Sequence, residues 1–273
     1  MKTATAFFFS ILLLLVACEP ETIGTTETKT AVVTGYLFAG QPCDSIRIVQ
    51  SISYGSEDTV AVTLDDLVVT LSDGATTFTL TPAGAGYYRN PDLIIESGKN
   101  YLLQFEHNGK AVSAQTFVPE KREAALSDTL IEMEKIEAGT FPPIGGGTMP
   151  EPIEATWDNS EGDYYYVVVQ NLEDDPEYIN EFFAGQDSLF RNFRFISEPQ
   201  ATDFYNIDPQ REIWQFGKHR VIVFRVNPEY AALYNVSASS SLSITEPPGN
   251  VENGLGILTG AASDTLFFVV KKQ

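Results

Sequence analysis

From residue 31 onward, apolar and polar positions alternate in short runs, the period of half-buried strands rather than of helices. Ala31 to Leu37 and Ile46 to Ile52 are β-branched and short, and Leu67 to Leu71 and Thr76 to Leu80 follow. Asp73-Gly74 between the latter pair predicts a hairpin. Asn108-Gly109 between Tyr101–Phe105 and Ala111–Val118 predicts a second, because both residues tolerate the positive φ such a turn needs. Gly84 to Gly86 predicts a turn ahead of Tyr87-Tyr88. These short strands with frequent turns indicate a β-sandwich of immunoglobulin-like or transthyretin-like size over residues 31–119.

Residues 120–152 break the alternation. Mixed charges give way to a Gly- and Pro-dense stretch ending at Pro152, the composition of a linker and loop. Leu126 to Ile136 reads as a candidate edge strand. The second block, 153–273, resumes with Ile153–Trp157, a polar turn at Asp158–Asp163 and Tyr164–Gln170, which together resemble the start of a fibronectin-type sandwich. Phe190–Ile196, His219–Val226 and Thr265–Lys271 read as further strands. Tyr178–Phe183 and Pro228–Tyr234 read as short helices, the latter entered through Asn227-Pro228-Glu229. Residues 174–215 read as an insertion. The fold class is therefore all-β: two tandem β-sandwich domains with a few short helices in the second.

The N-terminus has a different grammar. Lys2 precedes an apolar run from Ala6 to Ala17, which is signal-peptide length and too short to span a bilayer. It ends Leu15-Val16-Ala17-Cys18, small residues ahead of a cysteine. This predicts a lipoprotein signal over 1–17, with Cys18 carrying diacylglycerol on sulfur and an acyl chain (palmitate-like) on its amine. A secretory signal with a chance cysteine is the other reading. Residues 18–30 are Thr-rich and polar, a flexible tether. Glu19-Pro20-Glu21 resembles the surface-export signal of Bacteroidota lipoproteins, or simply begins a solvated linker.

Composition narrows the partners. Lys and Arg total 17 against 37 Asp and Glu, a net charge of −20. That excludes nucleic acid and anionic lipid surfaces, which need clustered positive charge. Once Cys18 is lipidated, Cys43 stands alone, so no disulfide framework exists. Two histidines without a His-x-x-x-His pair, and no Gly-x-Ser-x-Gly or phosphate loop, leave no catalytic residue, metal or cofactor to assign beyond the covalent lipid. Acidic groups such as Asp65-Asp66, Glu173-Asp174-Asp175, Asp203 and Asp208 suit carboxylate hydrolysis in principle and solvated faces in general. Asp158, Ser160 and Asp163 form a weak calcium candidate that reads equally as a hairpin turn.

The second block is crowded with aromatics. At least one of Tyr164, Tyr165 and Tyr166 must face away from the core unless another element covers it. Tyr178, Tyr205 and Trp214 suit either core packing or an exposed face for a sugar or protein partner.

Val33, Gly35, Leu37, Gly40, Tyr101-Leu102-Leu103, Thr116–Pro119, Trp157 and Tyr164–Tyr166, with the tail Pro247-x-x-Asn250-Val251-x-Asn253-Gly254-x-Gly256-Ile257, carry a resemblance. The chain resembles the two-domain Bacteroidota lipoproteins described as domain of unknown function 4249, often encoded beside TonB-dependent outer-membrane receptors. The resemblance implies an address and neighbours rather than a reaction: the outer membrane, facing outward, with the periplasmic face left open. Ser45, Thr59, Thr129, Ser188 and Thr265 each follow Asp and precede an apolar residue, resembling the O-glycosylation sequon of exported Bacteroidota proteins; the same triplets also close turns and open strands. The expected function is an accessory lipoprotein docking on an outer-membrane receptor or complex, with the insertion and the Asn253, Gly254 and Gly256 turn as contact surface. A glycan- or peptide-capturing lipoprotein is the alternative, and a carboxylate hydrolase the third reading.

Overall fold

The computed structural model describes residues 29–52, 60–137, 150–186, 190–235 and 248–273. The first half holds β1 (Ala31–Phe38), β2 (Pro42–Gln50), β3 (Val69–Ser72), β4 (Thr77–Gly84), β5 (Tyr87–Ile94), β6 (Lys99–His107) and β7 (Lys110–Val118). In β1 the alternation places Ala31, Val33 and Leu37 inward. Asn108 and Gly109 take φ of 51° and 71°, so the β6–β7 turn is the one their sequence predicts. The Asp73-Gly74 hairpin also forms, but its ladder closes at Ser72 opposite Thr77. The loop is wider because the Asp73 carboxylate accepts from the amides of Ala75 (3.0 Å) and Thr76 (2.8 Å).

The second half contributes β8 (Ala124–Leu126), β9 (Leu130–Met133), β10 (Ile153–Trp157), β11 (Tyr164–Asn171), β12 (Arg194–Ile196), β13 (Phe204–Ile207), β14 (Gly217–Val226), β15 (Val251–Glu252) and β16 (Leu255–Lys272). A 3₁₀ helix spans Glu181–Gln186; the α-helices are α1 (Pro209–Glu212) and α2 (Pro228–Asn235). The fold is all-β with a few short helices, as the alternation predicts.

The two halves share a strand. β16 runs 18 residues. Its beginning pairs parallel with β1, from Val32 opposite Leu255 to Phe38 opposite Ala261. From Ala261 onward it pairs antiparallel with β14, and its end pairs parallel with β9. One sheet therefore runs β12-β11-β14-β16-β1-β2-β5-β4 and continues through β3, β6, β7 and β15, where β4 passes from one layer to the next. The sequence pattern shows only the Thr265–Lys271 end of β16. Residues 257–262 are buried on both faces, so they carry no alternation to read. The halves divide along this strand rather than at a linker alone.

Both cores lie on one side of that sheet. Even-numbered Leu258 belongs to the first core, with Val33, Leu37, Ile46, Ile48, Leu71 and Leu103. Even-numbered Phe268 and Val270 belong to the second, with Trp157, Tyr165, Val167, Val221 and Val223. A three-stranded sheet, β13-β10-β8, covers the second core. The stretch read as an insertion thus supplies structure: Ile207 of β13 and Ile213 are buried in that core. Odd-numbered Thr259 and Ala261 face the opposite side of the sheet.

Candidate functional site

On that opposite side, the alternation that buries Val33 and Leu37 turns Tyr36 and Phe38 outward from β1. The same alternation turns Tyr166 outward from β11 while Tyr165 stacks on Trp157 in the core, ring centroids 5.0 Å apart. From β14 come Phe224 and Val226, and from α2 come Tyr230 and Tyr234. Helix α2 starts where Asn227-Pro228-Glu229 predicts. The Asn227 amide reaches across to the Phe117 carbonyl (2.7 Å) and the Thr116 hydroxyl (2.9 Å). Thr116 donates to Glu229 (3.0 Å) and accepts from the Gly260 amide (3.0 Å). The helix is tethered to β7 and β16 at its first turn, which fixes Tyr230 over the sheet.

The rings converge. Tyr166 stacks on Phe224 at 4.7 Å with 10° between planes, and Tyr230 lies 5.5 Å from Tyr166 and 6.2 Å, edge-on, from Tyr36. They enclose a cleft of about 210 Å³ lined by these tyrosines with Phe38, Val226, Thr259 and Ala261. No charged side chain lines it among the described residues. The hydroxyls of Tyr230 and Tyr234 meet at 3.2 Å. Burial pushes the Tyr166 phenol up to about 12 and raises Tyr36 and Tyr230 as well. All are neutral at physiological pH. Thr259 is 1% exposed and its Oγ1 has no hydrogen-bond partner. The arrangement can grip a neutral ligand; it offers neither a base nor a charged nucleophile.

The residues singled out from sequence lie elsewhere. Tyr178 is buried and bridges to Gln215. Tyr205 donates to Glu212 Oε1 at 2.7 Å. Trp214 stacks on Phe193 (4.4 Å) and Phe183 (4.8 Å) and donates to the Arg211 carbonyl (3.0 Å), so its rings and its N–H are spent on this chain. Asp158 accepts from Ser160, and Asp163 pairs with Arg225 at 2.5 Å. The segment is a turn, with Gly162 at φ +73°, but not the hairpin its sequence suggests: β10 and β11, which it joins, pair with other strands and lie in different sheets. No cluster of three or more metal-ligating side chains occurs among the described residues. Asp65 accepts from Gly86 and Thr63, Asp208 caps α1, and Glu173 accepts from the Lys218 amide, so these acids serve turns and ends.

Thr129 and Thr265 are exposed, and Ser45 is half-buried with its hydroxyl on Asp44. Cys18, Thr59 and Ser188 lie outside the described residues. Cys43 is buried, and burial pushes its thiol up to about 12. Two buried groups had no sequence signal. Glu212 is held protonated to about 7 by burial, and His219, stacked on Phe268 at 5.0 Å, is pushed down to about 4 by burial. Tyr36, Phe38 and Thr259 were also missed. Their one local signal is large or hydroxyl side chains at outward positions of strands.

The glycine-rich tail performs a structural task. Asn250 donates to the carbonyls of Gln115 (3.0 Å) and Leu258 (2.7 Å) and accepts from the Leu258 amide (2.9 Å). The exposed Asn253 donates to the Ala111 carbonyl (2.9 Å). A Cβ at Gly256, which sits at φ +97°, would lie 2.0 Å from the Val33 carbonyl oxygen, and one at Gly254 would lie 3.1 Å from that of Ala31. Together they clasp β15 and β16 onto β7 and β1. A family model described as a domain of unknown function, DUF4249, matches residues 18–266. The chain belongs to the DUF4249 family. No curated protein matches the sequence. In this DUF4249 chain the tail motif that carries the resemblance is spent on joining the halves.

Proposed function

We propose that this DUF4249 protein is a lipid-anchored binding subunit of a Bacteroidota outer membrane, held by acyl chains on Cys18 and docking on an outer-membrane receptor or complex. The lipobox ending at Cys18 supports the anchor, and the family match begins at that cysteine. The observation that carries the binding role is the face of the shared sheet where Tyr36, Tyr166, Phe224, Tyr230 and Tyr234 converge. Tyrosine-rich faces give large, rigid contact area at low entropic cost. The acidic surface favours a protein or neutral partner over a polyanion.

The test is capture of a tagged full-length chain from gently solubilised outer membranes, paired with protease shaving of whole cells. A receptor barrel should co-purify with the wild type and be lost with Tyr234→Ala combined with Tyr36→Ala. Equal capture by that variant overturns the role of the face, and no capture by the wild type overturns the docking role. Cys18→Ala should move the protein to the soluble fraction. A second reading, capture of a glycan or peptide, is favoured by the hydroxyls around the cleft.

A further inference from the structure

The aromatic groups of this chain divide into closed and open sets. Trp214 is packed among Phe183, Phe190 and Phe193, and Tyr205 is committed to Glu212. At the sheet's tyrosine face, rings and hydroxyls border a cleft. We propose that this cleft is a binding site for one neutral sugar ring. The inference rests on reading the face as a binding surface.

Size restricts the occupant first. About 210 Å³ falls below the ~300–1,000 Å³ of sites for drug-sized molecules. It exceeds by more than tenfold the ~10–15 Å³ that a single water needs, which suits one six-membered ring with its substituents.

Chemistry restricts it next. A carboxylate or ammonium group entering here would give up part of its water and find no charged side chain in the lining. The polar side-chain groups that the lining can offer are the hydroxyls of Tyr36, Tyr166 and Tyr230, that of Thr259 being sealed beneath them. Each can donate or accept, which matches the ring hydroxyls of a sugar in either sense. The walls supply the other half of the match. Tyr166 is braced by its stack on Phe224, and Tyr230 is tilted 30° to it, so two aromatic rings border the space where the C–H face of a sugar would pack.

The test uses the full lipidated chain in a detergent without a sugar headgroup. The probes are the methyl glycosides of glucose, galactose and N-acetylglucosamine, read by saturation-transfer NMR. Transfer to the ring C–H protons of at least one is expected, with a Kd on the order of 1 mM. Tyr230→Phe and Tyr36→Phe preserve shape and remove one hydroxyl each, so each should weaken that binding about 5-fold. Near-UV circular dichroism of both variants checks that the fold is retained. Absence of transfer to all three glycosides at about 20 mM overturns the proposal. So does transfer that is undiminished in both variants. Binding of p-cresol without binding of any glycoside also overturns it, and assigns the cleft to an aromatic side chain of a protein partner. Receptor capture is read separately, so loss of docking and loss of sugar binding are distinguishable.

Discussion

Replacing Asn250 with alanine removes three hydrogen bonds at once: two donations, to Gln115 and Leu258, and one acceptance, from Leu258. At about 1 kcal/mol net each, with a discount for a half-buried site that water can enter, the loss is about 2–3 kcal/mol. For a chain of this size that lowers Tm by about 4–12 °C. Asn250→Asp separates this account from a simple loss of packing. The aspartate keeps the acceptor for the Leu258 amide but gives up both donations. It also places a carboxylate where the amide nitrogen met two carbonyl oxygens at 3.0 and 2.7 Å. Asp should therefore be more destabilising than Ala at pH 7, despite being the closer shape. The assay is thermal and urea unfolding of wild type, Asn250→Ala and Asn250→Asp under one buffer. An Asp variant equal to wild type, or more stable than the Ala variant, refutes the reasoning. The consequence would reach the tyrosine face, because the strand that Asn250 clasps supplies Thr259 and Ala261 to the cleft.

Further outcomes follow from the same contacts. Gly256→Ala forces a positive φ on a residue with a Cβ and drives that Cβ into the Val33 carbonyl, so we expect a loss of several kcal/mol, seen as insoluble expression. Glu212 binds its proton more tightly folded (about 7) than unfolded (about 4.5), so its share of stability is full below about 4.5 and falls as pH rises to 7. The difference is about 3 kcal/mol, and urea unfolding of Glu212→Gln at pH 5 and pH 8 should show that fall abolished. His219 acts in the opposite sense: its folded value of about 4 lies below the unfolded 6.5, so stability is lost as pH falls from 6.5 toward 4. The stability maximum of Glu212→Gln should therefore move to higher pH than that of wild type. Cys43, with its thiol pushed up to about 12, should react with a disulfide reagent at pH 8 only after unfolding by urea.

Much of this molecule is legible residue by residue. Strand identity follows from alternation at period two, and the β6–β7 turn follows from the tolerance of Asn108 and Gly109 for positive φ. The helix start at Asn227-Pro228 is equally local, and so is the outward turn of one tyrosine in Tyr164–Tyr166. What no local pattern carries is pairing between distant segments. β1 lies beside β16 because residues 31–38 and 255–261 meet across more than two hundred positions, and the strand there is buried on both faces with no period to announce it. The site inherits that non-locality. Tyr36, Tyr166, Tyr230 and Thr259 come from four separate elements, and each alone is an ordinary outward or covered residue. The sequence by itself determined the all-β class, the turns and the candidate lipid anchor, since these rest on neighbours along the chain. That Trp214 is half-buried against three phenylalanines, and that the tyrosines meet, is legible only in the folded sheet, because ring packing and burial are properties of the fold.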